Sequence, residues 1–177
     1  MKLLYFAAML ASLLLMSCNS EPSLQKYYVN NAEKKDFVAL DISPSIINVD
    51  KAKLTPEQKT ALESFDRMNI LAFKIDGKNQ ALYKEESQKL SKILKGQDYQ
   101  QLMKIGEGKD AASISFVGDE DDIDEFILFA KREENGFAVV RILGDDMNPN
   151  NIMNMLSILK SANINMEQLK PLEGLIK

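Results

Sequence analysis

The sequence predicts an α+β domain of two layers, with helices packed on one face of a mixed, largely antiparallel sheet. Three observations carry that expectation. The second half of the chain holds four β-like runs joined by short polar connectors. The first half alternates two such runs with two amphipathic helical stretches. A last helical stretch follows, and the order β-α-β-α-β-β-β-β-α buries its apolar faces by stacking helices against a sheet.

Taken in order, Phe37-Val38-Ala39-Leu40-Asp41-Ile42 reads as the first strand, stopped by Ser43-Pro44. Thr55-Pro56-Glu57-Gln58 is a helix start. Thr55 caps the first turn, Pro56 sits where no amide partner is needed, and Gln58 completes a capping box. Ala61, Leu62, Phe65 and Met68 give that helix one apolar face. Ile70 to Ile75 forms the second strand, closed by Asp76-Gly77. A helix from Asn79 to Lys95 turns Leu82, Leu90, Ile93 and Leu94 inward and stops at Gly96. Glu85 and Lys89, one turn apart, add an ion pair on its wet side.

Tyr99 to Ile105, Ala111 to Val117, Ile123 to Lys131 and Phe137 to Leu143 are the β-like runs of the second half. Ala112, Ile114 and Phe116 alternate with Ser113 and Ser115, the pattern of a half-buried strand. Asn135-Gly136 predicts a two-residue type I′ hairpin, whose positive φ angles asparagine and glycine tolerate best. Asn148-Pro149 opens a last helix with Ile152, Met155, Leu156 and Leu159 on one face.

Upstream of the domain, Lys2 supplies one positive charge and Leu3 to Met16 is apolar except for Ser12. A short basic start, an apolar core and a small residue before a break describe a secretory signal peptide over residues 1–17. A transmembrane helix needs about 20 apolar residues, and Asn19, Ser20 and Glu21 end this run too early. A buried core helix would show polar residues at helical spacing, and none appear. Leu15-Met16-Ser17-Cys18 then resembles a bacterial lipobox: a leucine, a variable residue, a small residue and the cysteine, with Met16 where a smaller residue is usual. The resemblance implies that Cys18 is acylated and becomes the first residue of the mature protein. Cys18 is the only cysteine, and an odd cysteine in an exported chain has no disulfide partner. The downstream sequence shows no polybasic patch, so lipid, at about 0.8 kcal/mol per buried methylene, does the anchoring.

Asn19 to Lys35 is polar, contains Pro22 and shows no sustained periodicity. Residues 18–35 therefore read as a tether, and residues 36–177 as a single domain. The pair Tyr27-Tyr28 leaves that boundary open, since two rings can pack on the domain.

Composition narrows the chemistry. The chain has 22 basic and 26 acidic residues, a net charge of −4. That balance argues against nucleic acid, which needs a basic stripe, and against electrostatic docking on anionic lipid. The absence of histidine excludes Ser-His-Asp and Cys-His nucleophiles and histidine-based zinc sites. Carboxylate pairs of the glycosidase kind need only Asp and Glu, but no spacing singles one out. Gly106 to Ala111 matches G-x-G-x-x-A, yet a dinucleotide loop must open a helix. Here "ASISFVG" alternates like a strand, so the glycines read as a hairpin loop. "GDEDDIDE", residues 118 to 125, concentrates carboxylates, but Ile123 takes the fifth position from Asp119 and no glycine follows. A calcium loop needs both features; the stretch reads as a solvated turn. Met147, Met153 and Met155 offer thioethers of the kind copper favours, but Met153 and Met155 fall near an apolar helix face, where methionine fills core gaps. No cofactor and no metal site is expected.

"IDEFILFAKREENGFAVVRILGDDMNPNNIMNML", residues 123 to 156, resembles a family of small lipoproteins from Bacteroidota, domain of unknown function family 4252. The shared pattern is the acidic-apolar strand Asp124-Glu125-Phe126-Ile127-Leu128, a hairpin, an apolar strand ending in Gly144-Asp145, and an amphipathic helix. The lipobox, the early "DISPSI" and the helix at Thr55 fit the same layout. The resemblance implies a periplasm-facing or outer-membrane surface lipoprotein, implies no activity, and hints at regulation beside envelope-stress or sigma-factor systems. Such lipoproteins often carry an acidic export signal after the cysteine, and "NSEP" holds only Glu21.

Two functional classes follow. The first is a non-enzymatic partner-binding or adaptor domain, attached to the membrane through lipid on Cys18 and working against another envelope protein. The alternative is an envelope hydrolase using carboxylates, or a lipoprotein holding a small ligand between sheet and helices. An exposed apolar patch would mark the first, and a deep pocket with facing carboxylates the second.

Overall fold

Strand-forming runs too short to bury themselves pair edge to edge in the computed structural model, which describes residues 22–48, 50, 53–161 and 163–164. The strands are β1 (Phe37–Ile42), β2 (Ile47–Asn48), β3 (Phe65–Lys74), β4 (Gln100–Glu107), β5 (Asp110–Asp119), β6 (Asp122–Arg132), β7 (Gly136–Met147) and β8 (Asn163–Ile164). Six of them form one sheet in the order β1-β3-β7-β6-β5-β4, and β2 pairs with β8 alone. The helices are α1 (Leu24–Asn31), α2 (Pro56–Glu63), α3 (Gln80–Ile93) and α4 (Pro149–Ser161). The class is α+β. The sheet is antiparallel throughout rather than mixed, since the tight connections from β4 to β7 allow only antiparallel neighbours.

Side-chain alternation decides the layers. In β3, Met68, Ile70 and Ala72 enter one apolar cluster, whereas Leu71 and Phe73 enter another. Successive strand residues face opposite sides, so the two clusters lie on opposite faces of the sheet. The first gathers Leu62 of α2 and Ile152, Met155 and Ile158 of α4. The second gathers Leu24, Tyr27 and Tyr28 of α1 with Tyr83, Leu90 and Ile93 of α3. The expectation of two layers with helices on one face is therefore corrected: the helices divide between both faces. Rings reinforce the second cluster, with Phe73 centred 5.1 Å from Phe37 and 5.4 Å from Phe137.

Local chemistry explains where elements begin and end. Thr55 and Gln58 form the reciprocal capping box, at 3.2 and 3.0 Å. Phe65 and Met68 are not on that helix face. The helix stops at Glu63, and Phe65 starts β3 opposite Gly144, five residues before the expected strand. Asn148 opens α4 by accepting the amides of Asn150 and Asn151 at 3.0 and 3.3 Å. Of the face expected there, Ile152 and Met155 are buried, while the side chains of Leu156 and Leu159 lie outside what the structure describes.

Two more expectations change. Arg132 pairs with Gly136, so the β6–β7 loop is the three residues Glu133-Glu134-Asn135. Gly136 takes φ +130° while Asn135 keeps a negative φ, and the type I′ pair is absent. The competing demand is β3, whose Phe73 carbonyl oxygen would lie 1.8 Å from a Cβ at Gly136. The second change is at residues 24–31, placed in the expected tether, which form α1. Leu24, Tyr27, Tyr28 and Asn31 are spaced as one helical face and are buried. Tyr99 accepts the Leu24 amide at 2.9 Å, Tyr27 donates to Glu86 at 2.9 Å, and Tyr28 donates to Asp41 at 3.0 Å. The packed domain thus starts well before residue 36.

Candidate functional site

The lipobox residues Leu15, Met16 and Ser17, with Cys18, lie outside the described residues. The other stretches weighed for chemistry are placed. Gly106 to Ala111 closes the β4–β5 hairpin: Glu107 pairs with Asp110, and Gly108, at φ +70°, leads the two-residue turn. A positive φ at the first central position is what a type II′ turn requires. The acidic run turns β5 into β6, with Asp119 to Asp122 exposed. Met147 and Met155 are buried in the core, whereas Met153 is exposed. Among the described residues no group of three or more Cys, Asp and Glu could hold a metal ion.

Two other groups of carboxylates are held in ion pairs. Where the β4–β5 and β6–β7 turns meet, Glu133 pairs with Lys109 at 2.5 Å and its amide donates to Asp110 at 3.2 Å. Beneath α1, Arg141 is only 4% exposed and grips Glu125 through two bonds, Nε to Oε1 at 2.7 Å and Nη2 to Oε2 at 2.8 Å. Its remaining nitrogen donates to Gln25 and to Asn69, and Asn69 donates on to Asp41. This polar row crosses β7, β3 and β1 and fastens α1 to the sheet. A bidentate, fully shared charge of this kind is a structural fastening, because each group's bonding is taken up inside the domain.

The surface left open is apolar. On the face that α2 and α4 cover elsewhere, antiparallel register aligns two rows across four strands. One runs Met103, Ile114, Leu128 and Val140; the next runs Ile105, Ala112, Ala130 and Ala138. Together they line a trough of about 270 Å³ with almost no polar lining. Its outer end is edge strand β4, where Leu102, Met103 and Ile105 are 44%, 48% and 63% exposed. Alanines make the second row shallow, so a neighbouring backbone can approach the sheet closely. The register also places Glu107, Asp110, Arg132 and Lys74 along the next row outward, a polar rim.

A family model described as Domain of unknown function (DUF4252) matches residues 26–155. The chain belongs to this family. The match takes in most of α1, the whole six-stranded sheet and the start of α4, so the trough and, apart from Gln25, the Arg141 row are inside it. None of the curated proteins and none of the solved structures compared matches the chain.

Nothing in the sequence pattern singles out the trough as a site. A partial signal exists: Ala112 and Ile114 alternate as the inward side of a half-buried strand, and among the described residues no helix covers the side they face at this end of the sheet. What periodicity lacks is which helix lands on which face.

Proposed function

We propose that this is a lipid-anchored cell-envelope protein, attached through acylated Cys18 and facing the periplasm or lying on the outer-membrane surface. Its domain does no chemistry and holds a protein partner near the membrane through the open sheet face. The observation that carries this reading is the exposure of Met103 and Ile105 at the end of two apolar rows. A contiguous apolar patch with a polar rim on a folded domain marks an interaction surface. Two recognition modes suit it: a strand added along β4, or an apolar helix face laid over the alanine row. Anchoring confines the domain near the membrane and raises the local concentration of a partner there, so a weak interface suffices. Among the described residues no helix is long and apolar enough to cross a membrane.

Incorporation of radioactive palmitate, lost in Cys18→Ser, checks the anchor. A photoreactive side chain at position 103, activated in living cells, checks the surface. One dominant envelope partner is expected, and Ile105→Asp should lower its recovery about tenfold or more. The urea midpoint should hold, since substitution at an exposed position usually changes stability by no more than about 0.5 kcal/mol. Recovery of no partner, with turnover of a glycan or peptide by the purified protein, would overturn the reading in favour of a carboxylate enzyme.

A further inference from the structure

The net acidity of the chain conceals one basic groove. Lys26 of α1 and Lys89, Lys92 and Lys95 of α3 and its end line a cleft of about 830 Å³ between the two helices. Tyr27 and Ile93 are part of its lining, and among the described residues no carboxylate is. Lys89, Lys92 and Lys95 recur every third residue, which keeps them on one side of a helix; Lys26 arrives from a different element more than sixty positions away in the sequence. Glu85 and the buried Glu86 both bind Lys89, at 2.7 and 2.9 Å, so the positive character of the cleft comes chiefly from Lys92 and Lys95, with Lys26 facing them. Lysines in a last helical turn also complement the helix dipole. That explains Lys92 at the end of α3, but it does not explain Lys26, which converges on the same cleft from α1.

We propose that this groove docks on the phosphate headgroups of anionic lipid in the membrane that holds the anchor. The inference rests on the lipid-anchor reading for its geometry. Pro22 and Ser23 border the groove, and Cys18 lies four residues before Pro22. A chain of that length spans at most about 14 Å even when fully extended. A lipid on Cys18 therefore keeps the groove near enough to come within one Debye length of the headgroups, about 8 Å at physiological salt. Juxtamembrane lysines inside that distance are drawn to anionic lipid. The consequence is orientation. α1 and α3 cover one face of the sheet and the apolar trough opens on the other, so docking by the groove turns the trough away from the membrane and towards partners.

The test uses full-length protein purified from membranes with its N-terminal attachment intact. It is incorporated into vesicles of phosphatidylcholine alone, or of equal parts phosphatidylcholine and phosphatidylglycerol. A water-soluble amine-acetylating reagent, read by mass spectrometry, reports each lysine. On anionic vesicles Lys26, Lys92 and Lys95 should label several-fold more slowly than on neutral ones, with Lys59 and Lys74 unchanged. Salt near 1 M, where the Debye length falls to about 3 Å, should abolish the difference. In Lys92→Glu/Lys95→Glu, both sites being exposed, Lys26 should lose its protection. Protein that stays on both vesicles with no difference in labelling keeps the anchor and overturns the groove. Protein that floats only with anionic vesicles overturns the anchor and keeps the groove, and protein that floats with neither overturns both. Equal protection by inorganic phosphate on neutral vesicles would make the groove a site for soluble phosphate and overturn docking on lipid.

Discussion

Gly136 shows how far a single residue's signal reaches. The Asn135-Gly136 pair correctly marks a hairpin, but the glycine is required for a different reason. Its φ of +130° belongs to a region that is essentially glycine's alone, and a Cβ there would collide with the Phe73 carbonyl. Gly136→Ala should therefore cost about 3 kcal/mol or more, combining a forbidden backbone region with overpacking against a rigid strand. Gly77 is the control. Its φ is +80° and nothing lies within 4 Å of the point a Cβ would occupy, so Gly77→Asn should shift stability in a urea melt by less than about 1 kcal/mol, asparagine tolerating positive φ. Equal midpoints for the two variants would refute the assignment of close approach at Gly136. Sequence reveals that a turn residue is needed, while the distant carbonyl that makes it irreplaceable belongs to another strand.

Among the elements, α1 is the least legible in the sequence. Its apolar positions, Leu24, Tyr27 and Tyr28, have helical spacing, but the surrounding Asn, Lys and Gln residues and the preceding Pro22 read as tether. Burial of two tyrosines, each with a carboxylate to bind, is what holds the helix. Burial pushes the Tyr28 hydroxyl up to about 12, and the hydrogen bond and charge of Asp41 add to the effect. Tyr27 is raised in the same way, by burial first and then by Glu86. A phenol whose folded value stands above its ordinary 10 is held neutral by the fold. Its contribution is complete below pH 10 and is lost as pH climbs from there through about 12. Urea melts across that window should show stability falling, and the fall should be smaller in Tyr28→Phe, which has no proton to lose there. A Tyr28→Phe profile parallel to the wild type would mean that the ring's neighbours, not its hydroxyl, fix α1. The last helix is easier to read because its cap residue, its proline and its apolar spacing are all local.

At the scale of the whole molecule, strand content is legible and strand order is not. The four runs of the second half are adjacent in sequence, so hairpins pair them in turn; β3, placed between β1 and β7, reaches across the chain. The clue to two covered faces is the uninterrupted apolar run Ile70-Leu71-Ala72-Phe73, since a strand with one wet face would alternate. This order sets a gradient of local stability. β6 and β7 have a partner on each side and apolar clusters on both faces. β4 pairs only with β5, carries a bulge between Gln101 and Met103, and is exposed along its whole length. Among the described residues no strand lies beyond it. Amides with few buried neighbours exchange through local opening, and those of a doubly flanked strand through global unfolding. Hydrogen exchange should accordingly be slowest in β6 and β7, and fastest among the sheet strands in β4, with β4 rates nearly independent of added denaturant. A β4 that opens locally can adjust its register to an incoming strand, which ties this mobility to the partner surface at Met103 and Ile105. If β4 exchanged as slowly as β7, the edge would have to be covered in solution by a second copy of the chain, and the open face would be an interface already in use.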